Sequence, residues 1–367
     1  MPIITNNNST SLDTPVVDED VNSISTAAIN ALRKMDNSII AITGANGFLA
    51  SSLIYYILVL SKSYDIDITI IALARNSNKL IKRFSADFIS HHSEKLFIYP
   101  YLVTQPLDSL QYANYVIHAA SNANPSSFMS QPFATCQANT SGTIHTLEYA
   151  NKSNASNYIL LSTSGVYGHV PPASYPLDED TFGSLDPCRP ENIYLSSKRM
   201  SECLVASSFK HFYIPYNIIR PSITYGPGLD INDDRSFPYF LKCCLTGDDI
   251  NLSSDGMSFR NYLYIRDFID AFIQLIPIGF NQPFNVASSV DTLIKDLANH
   301  FCTLSPSRNT KLTFPDNHHK DDTRVEYRRT STSQSRVTGT IGWEEVTSLQ
   351  FGLERTIAHY ILLNEIH

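Results

Sequence analysis

Three features of the 367-residue sequence predict an α/β fold with a doubly wound parallel sheet. A loop with two glycines joins an apolar strand to a helix, and strand-like and helical segments then alternate as far as about residue 220. Beyond residue 225 the pattern becomes irregular, with many Pro, Asp and Asn residues. Because alternating strands and helices favour a parallel sheet covered on both faces, we expect such a sheet followed by a smaller C-terminal α/β lobe.

The predicted elements divide the chain into three regions. Residues 1–37 are expected to form a polar tail, mobile to about residue 21, and a short helix over residues 23–35. Residues 38–225 predict the doubly wound domain, to which the chain returns at about residues 258–285, and residues 226–257 and 286–367 predict the smaller lobe. The strands of the large sheet are expected at residues 38–42, 66–74, 96–101, 115–119, 158–162 and 216–220.

The first strand, loop and helix occupy residues 38–61. This stretch carries no charged residue and is long enough to cross a bilayer, so a membrane span is one interpretation. Its middle indicates otherwise, because Gly44 permits a sharp turn, Gly47 lets a pyrophosphate approach the backbone and the small Ala50 lets the helix pack closely on the strand. The apolar segment 66–74 then completes a strand–helix–strand unit. The sequence therefore predicts a Rossmann dinucleotide-binding unit.

Composition narrows the class of protein. A net charge of −8 and a pI near 5.7 give no basic surface for nucleic acid. The six cysteines show no paired metal-ligand spacing, and residues 1–22 lack the apolar core of a signal peptide. We therefore expect a reduced cytoplasmic protein without a metal site, a nucleic-acid partner or a membrane partner.

A second group of residues is typical of proton transfer. Tyr194 and Lys198 are four residues apart in a predicted helix, which places them on one face. A cation beside a phenol lowers its pKa, and a phenolate can take a proton from a sugar hydroxyl. Thr163 follows a predicted strand at its carboxyl end, where an open α/β sheet binds its ligand. The alternative for Tyr194 and Lys198 is an ordinary exposed helix, and the alternative for Thr163 is a hydroxyl that caps a turn. The order of the motifs along the chain, glycine loop, then Thr163, then this helix, favours a catalytic site.

Eight segments between about residue 38 and residue 360 match one family jointly. They are TGANGFLA, VIHAASNANP, NTSGT beginning at Asn139, LLSTSGVYG, YLSSK, IIRPSITYGPG, RNYLYIRD and IGWEEVTSLQFGLERTI. Through these segments the chain resembles the extended short-chain dehydrogenase/reductase family, which comprises nucleotide-sugar epimerases, dehydratases and decarboxylases. Jointly the motifs are specific for the family but not for one reaction.

The resemblance implies a role for each matched residue. It implies that Thr163, Tyr194 and Lys198 are catalytic, with Tyr194 and Lys198 also contacting the cofactor. It implies a substrate site containing Ser164, with Arg235 and Arg260 binding a diphosphate in a fork geometry. It further implies a homodimer through helices near residues 140–150 and 194–208. The other implied cofactor contacts are Gly44, Asn46, Gly47, Phe48, Leu49, His118, Ala119, Ala120, Ser121 and Asn139.

Four positions depart from the pattern of that family, two of them, Gly165 and Glu191, from the pattern of its decarboxylase-like and dehydratase-like members. Gly165 stands where they have an acid/base glutamate, and Ile223 stands where an asparagine contacts the substrate. Glu191 replaces an arginine that binds a sugar carboxylate, although Arg189 is close enough in sequence to compensate. Arg75 follows the second strand where an acid would bind the adenosine 2′-hydroxyl, so NADP is possible although NAD is expected.

These features favour one of the reactions known in the family over the others. We expect oxidation of C4 of a nucleotide-linked hexose to a 4-keto intermediate, most consistent with 4-epimerisation because no further acid/base is then required. The alternatives are a 4-keto reductase, a 4,6-dehydratase and a UDP-glucuronate decarboxylase-like enzyme. A non-catalytic NAD(P)-binding regulator is an alternative of a different class.

Overall fold

The computed structural model describes residues 10–307, 309–315 and 329–365. The strands are β1 (Ser38–Thr43), β2 (Ile68–Ala74), β3 (Leu96–Pro100), β4 (Tyr115–His118), β5 (Asn157–Leu161), β6 (Tyr216–Pro221), β7 (Ile223–Tyr225), β8 (Ile250–Asn251), β9 (Phe259–Tyr264), β10 (Gln282–Val286), β11 (Asp291–Leu293) and β12 (Leu312–Thr313). The helices are α1 (Pro15–Asn22), α2 (Thr26–Lys34), α3 (Phe48–Ser63), α4 (Ser77–Ile81), α5 (Ala86–His91), α6 (Pro125–Ser130), α7 (Pro132–Asn139), α8 (Ser141–Lys152), α9 (Ile193–Phe212), α10 (Ser236–Thr246), α11 (Ile265–Leu275), α12 (Ile294–Leu304), α13 (Ser335–Ile341) and α14 (Leu349–Glu365).

The large sheet has seven parallel strands in the order β10-β6-β5-β4-β1-β2-β3. The strand order reverses between β1 and β4, which is the point where an open α/β sheet leaves a crevice for a ligand. The six strands predicted from the sequence correspond to β1–β6, and each begins and ends within two residues of its expected place. The predicted doubly wound parallel sheet is therefore confirmed.

Residues 38–61 form β1, a loop and most of α3, so the strand–loop–helix interpretation is correct and the membrane-span alternative is wrong. Helix α3 is apolar because it is buried along most of its length, where it packs against β2, α2 and α11. Among residues 10–307, 309–315 and 329–365, no helix combines the length and the hydropathy needed to cross a membrane.

Two small sheets lie outside the large one. Strand β9 pairs with β7 and β11, and β8 pairs with β12. A return of the chain to the doubly wound domain was predicted at about residues 258–285. Helix α11 packs against α2 and α3 and β10 joins the edge of the large sheet, whereas β9 belongs to a small sheet. The proposed division into domains remains a prediction.

The N-terminal segment differs from the mobile tail expected up to about residue 21. Residues 1–9 lie outside the described residues, but residues 15–22 form α1, which packs against α3 and α14. Its valines Val16, Val17 and Val21 are buried, and the buried Asp20 accepts hydrogen bonds from Tyr264 (2.6 Å) and Arg355 (2.7 Å). Polar composition suggested a tail, whereas partners more than 240 residues away order this segment. The short helix expected over residues 23–35 is present as α2.

Candidate active site

The loop between β1 and α3 has the shape that a pyrophosphate requires. Gly44 adopts φ +66°, and a Cβ placed there would lie 2.6 Å from the Cα of Ala120 in the loop after β4, so only glycine fits. Gly47 is the exposed N-cap of α3, in front of Phe48 and Leu49 in the first helical turn. The first N–H groups of a helix have no partner within it, and the helix dipole favours an anion there. The predicted loop residues therefore fit the pyrophosphate of a dinucleotide.

A buried histidine fixes the loop that faces this glycine. His118 ends β4 beside Thr43 at the end of β1, and the Thr43 hydroxyl lies 2.8 Å from His118 Nδ1. Burial, followed by the charge of Lys198, lowers the pKa of His118 to about 3, so the ring is neutral. Because the carbonyl oxygen of Ala138 lies 3.3 Å from Nε2 and can only accept, Nε2 carries the proton and Thr43 donates to Nδ1. Thr43 also accepts a hydrogen bond from the backbone N–H of Ala120 (3.4 Å), so it links His118 to the loop after β4, and the neutral ring is not a general acid at neutral pH.

A chain of hydrogen bonds joins the loop after β4 to helix α9. Ser121 donates to the Asn139 side chain (2.8 Å), and Asn139 donates to the Ser197 hydroxyl (2.9 Å). Ser197 in turn donates to the carbonyl oxygen of Tyr194 (2.9 Å). Asn139 is fully buried. Ser121 and Asn139 therefore align the predicted cofactor loop with the predicted catalytic helix.

The structure brings Thr163 and Tyr194 together. A hydrogen bond with Thr163 lowers the pKa of Tyr194, as does the charge of Arg235, but burial has the larger effect and raises this pKa to about 12. Desolvation dominates in this arrangement, and the lowering of the Tyr194 pKa by Lys198 remains a prediction. The ring of Phe128 from α6 stacks on Tyr194, with ring centroids 5.3 Å apart and planes 6° apart. Tyr194 is therefore held in one orientation by Phe128 and Thr163.

Lys198 lies one turn after Tyr194 on α9 and is 2 % exposed. Its Nζ donates to the carbonyl oxygen of Leu161 at the carboxyl end of β5 (2.7 Å). Burial lowers the pKa of Lys198 to about 8, and the charge of Glu202 opposes that change. The amine therefore lies at the strand end where the predicted crevice opens, and its pKa is closer to physiological pH than that of an ordinary lysine.

Arg235 is held by an acid close to it in sequence. Its Nε and Nη2 donate to the two carboxylate oxygens of Asp233 at 2.9 Å and 2.8 Å. Burial would raise the pKa of Asp233, but this bidentate pair and a hydrogen bond from Asn124 lower it. Since the charge of Arg235 also acts on Tyr194, the predicted diphosphate-binding arginine lies near the predicted catalytic tyrosine.

The remaining predicted residues occupy several places. Ser164 begins a short 3-10 turn directly after Thr163 and is half-buried. Arg260 lies on β9 near Tyr175 and Tyr262; burial raises the pKa of both phenols, and the charge of Arg260 opposes that rise only in part. Arg75 follows β2 and is exposed. Ser164 is thus the one of these three that directly follows the predicted catalytic threonine, Thr163, in the chain.

Leu195 is a site residue that the sequence did not reveal. A Cβ added to Gly165 would lie 2.6 Å from Cδ2 of Leu195 and 3.6 Å from the Thr163 hydroxyl oxygen. Leu195 therefore occupies the space in which a longer side chain at position 165 would begin. Its position directly after Tyr194 was visible in the sequence, but its contact with Gly165 depends on how α9 packs against the 3-10 turn. The stacking of Phe128 was likewise not predictable, because it depends on where α6 lies.

Comparisons with known proteins agree with this geometry. The family model described as "NAD dependent epimerase/dehydratase family" matches residues 40–287. The chain is 27 % identical to UDP-glucuronic acid decarboxylase 1 of Danio rerio over 332 residues, which cover 90 % of this chain and 75 % of that protein.

Two solved structures share the fold. UDP-glucose 4-epimerase of Thermotoga maritima, solved with UDP-glucose, superposes with a TM-score of 0.73 at 21 % identity, covering 89 % of this chain and 99 % of that one. The dTDP-glucose 4,6-dehydratase of Bacillus anthracis, solved in complex with NAD, gives a TM-score of 0.69 at 20 % identity, covering 89 % and 98 %. With the family model matching about two thirds of its length, the chain belongs to the NAD-dependent epimerase/dehydratase family, whose members are extended short-chain dehydrogenase/reductase enzymes.

Proposed function

We propose that this enzyme oxidises C4 of a nucleotide-diphosphate hexose. Tyr194 acts in its phenolate form, which the Lys198 ammonium one turn away would favour, and takes the proton of the C4 hydroxyl. Thr163 hydrogen-bonds the same oxygen, and Lys198 holds the cofactor ribose. NAD, when bound, accepts the hydride. The contact between Thr163 and Tyr194 supports this assignment, as does the position of the Lys198 amine at the end of β5.

For the fate of the 4-keto sugar we propose 4-epimerisation, on the observation that Leu195 fills the space beside Gly165. Elimination and decarboxylation need a further acid/base near C5, and the position that would carry it has no side chain here. Return of the hydride to the opposite face of C4 needs none. A 4-keto reductase would require the same residues, but it would consume the reduced cofactor.

UDP-glucuronate decarboxylation is the second candidate, and the names of the relatives favour it over epimerisation. Two features of the structure oppose it. Glu191 is exposed where an arginine would bind the carboxylate of the sugar, and Arg189 lies 3.6 Å from Asp186. An arginine paired with Asp186 is less able to compensate for Glu191.

Product analysis tests this proposal. Purified enzyme is incubated with UDP-, dTDP-, GDP- and CDP-hexoses and with UDP-glucuronate, and the products are identified by mass spectrometry and NMR. We expect a product of unchanged mass with inverted C4. Loss of carbon dioxide from UDP-glucuronate would establish the second candidate instead, and no turnover of any substrate would favour a cofactor-binding regulator.

Two tyrosine variants show whether the product depends on the proposed base. Tyr194→Phe should slow product formation by about a hundredfold to ten-thousandfold while the cofactor stays bound. Tyr149→Phe is a matched control, because the Tyr149 hydroxyl is also partly buried but donates to the carbonyl oxygen of Gln111 (2.6 Å). It should turn over at nearly the wild-type rate. Equal activity of both variants would remove Tyr194 from the mechanism.

We also propose a homodimer in which α8 and α9 meet their copies. These helices pack on one another, and they leave Ile144 (41 % exposed) and Met200 (53 % exposed) facing outward. Apolar residues exposed on adjacent helices are typical of an interface. Sedimentation at several concentrations measures the mass, and a monomer throughout would contradict this assembly.

A further inference from the structure

Arg83 lies in the turn after α4, is 3 % exposed and contacts three separate segments of the chain. Its Nε donates to the carbonyl oxygen of Asn46 in the loop before α3 (3.0 Å). Its Nη1 donates to the carbonyl oxygen of Gly228 (2.9 Å) and to that of Thr10 (3.4 Å). One guanidinium therefore joins the predicted pyrophosphate loop, the segment after β7 and the N-terminal segment.

The charge of Arg83 has carbonyl oxygens as its partners rather than a carboxylate. Burial lowers the pKa of Arg83 to about 10, against the opposing effects of Tyr360 and Asp230, so the side chain remains cationic at neutral pH. Within the described part of the chain, no Asp or Glu forms an ion pair with it. Buried cations are normally paired because desolvation is costly. Among the described residues Arg83 is a buried cation without a carboxylate partner, and it contacts the predicted pyrophosphate loop. We therefore infer that it does more than fill space in the core.

Arg83 fixes the peptide between Asn46 and Gly47 at its oxygen. The N–H of the same peptide donates to the carbonyl oxygen of Gly44 (2.8 Å), so both ends of the peptide are held. The Asn46 oxygen consequently points at Arg83 and not toward a pyrophosphate on the exposed side of Gly47. If this peptide rotated, a carbonyl oxygen would approach the anion and repel it.

The other contacts of Arg83 involve the segment that leads to Arg235, the predicted diphosphate-binding arginine, and the N-terminal segment. Gly228 adopts φ +86°, and a Cβ there would lie 2.6 Å from Cδ2 of Leu12, whose N–H donates to the Arg83 carbonyl oxygen (2.9 Å). The chain continues from Gly228 to Asp233 and Arg235. Leu12 and Thr10 precede residue 40, where the family match begins. The N-terminal segment therefore covers Arg83 with residues that lie outside the matched part of the chain.

We propose that Arg83 is a positioning residue for NAD, acting through the Asn46 carbonyl, and that residues 10–14 shield it from water. The proposal rests on the NAD dependence of the enzyme. It predicts that removing the guanidinium weakens dinucleotide binding even where the fold survives.

The test compares NAD affinity and NAD release in the full-length wild type, Arg83→Met and Arg266→Met. Arg83→Met should raise the NAD dissociation constant and the release rate about tenfold to a hundredfold, because it leaves the Asn46 carbonyl unsatisfied. The dissociation constant of ADP-ribose should rise by the same factor, because ADP-ribose contains the same pyrophosphate as NAD. Arg266→Met is the matched control, because Arg266 is also buried but pairs with Asp267 (2.8 Å) and bonds Ser23. It should lower the melting temperature and change NAD affinity less than twofold.

Arg83→Lys provides a second variant if Arg83→Met does not fold. Lysine keeps the charge but cannot reproduce the planar fork, so NAD affinity should fall by a smaller factor than with methionine. Wild-type NAD affinity in a folded Arg83 variant would overturn the positioning role and leave the proposed function intact. A wild-type enzyme that binds neither NAD nor ADP-ribose would overturn both.

Discussion

Lys198 and Arg220 are two buried cations close to the same acid, but their surroundings differ. Arg220 forms a bidentate pair with Glu202 (3.0 Å and 2.7 Å) and also donates to the Tyr167 hydroxyl (3.1 Å). Lys198 donates to the Leu161 carbonyl oxygen, and Glu202 acts on it through charge. Burial lowers the pKa of Lys198 to about 8. Burial also acts to lower the pKa of Arg220, but the hydrogen bonds and charges of Glu202 and Tyr167 together outweigh it and raise that pKa.

We propose that this difference separates a structural cation, Arg220, from a functional one, Lys198. Glu202 also accepts a hydrogen bond from Ser162 (2.6 Å), so Arg220, Glu202 and Ser162 form a group whose donors and acceptors are satisfied internally. Such a group stabilises the junction of β5, β6 and α9. Lys198 has no carboxylate in direct contact among the described residues, which leaves its ammonium available to a ligand at the strand ends.

The largest expected effect comes from removing the Lys198 ammonium. Lys198→Met should lower kcat/KM by about a hundredfold to ten-thousandfold, as expected when a group that supports proton transfer is lost. Thermal unfolding and circular dichroism of the same preparation check that the fold is retained. A variant with near-normal turnover would contradict the functional assignment of Lys198.

Arg220→Met should leave the chemistry in place and destabilise the protein. It leaves the carboxylate of Glu202 buried without its partner, so the free energy of unfolding should fall by about 3–5 kcal/mol. Urea unfolding at a fixed NAD concentration measures the change. Adding Glu202→Met should recover most of the loss. An unchanged midpoint in the single variant would show that this pair is not the structural element we describe.

The pH dependence of stability sharpens the same contrast. Because the pKa of Lys198 is about 8 in the folded protein and 10.5 in an ordinary lysine, the folded state binds the proton less well. Keeping the buried Lys198 protonated therefore lowers the free energy of unfolding. This loss is fully present below pH 8 and disappears as the pH rises toward 10.5. Relative to Lys198→Met, the wild type should therefore gain about 3 kcal/mol over that interval. A constant difference across the interval would contradict the low pKa.

The smallest effect is expected at Arg75, an exposed cation at the end of β2. Arg75→Ala should change NAD affinity less than twofold, because an exposed arginine contributes little without a phosphate to bind. NADP affinity should fall about tenfold if the guanidinium meets the 2′-phosphate. Calorimetric titration with both nucleotides measures the two constants. An equal loss for both would indicate that Arg75 stacks on the adenine instead.

The sequence predicted those parts of the site that depend on local patterns. The glycine loop and the spacing of Tyr194 and Lys198 are determined within a few residues, and both occur where they were expected. The environment of Tyr194 was not predictable, since its pKa depends on burial by residues from several elements. The same reason applies to Phe128 and Leu195, whose contacts depend on how helices pack.

The N-terminal segment shows most clearly which features cannot be predicted from local sequence. Its polar composition suggested a tail, but Thr14 bonds His359 (2.8 Å) and Asp20 bonds Arg355 (2.7 Å) at the other end of the chain. Because these partners are more than 330 residues apart, no short stretch of sequence reveals the contacts. Arg83 was missed for the same reason, because its three acceptors are far apart in sequence.

Hydride transfer from a substrate with deuterium at C4 tests the central claim most directly. In a single turnover, the absorbance of the reduced nicotinamide should rise more slowly with the deuterated sugar than with the protiated one. Tyr194→Phe should slow that rise by about a hundredfold to ten-thousandfold while still binding the sugar nucleotide. A substrate that turns over with no isotope effect on the absorbance change, or with a wild-type rate in Tyr194→Phe, would contradict C4 oxidation by Tyr194.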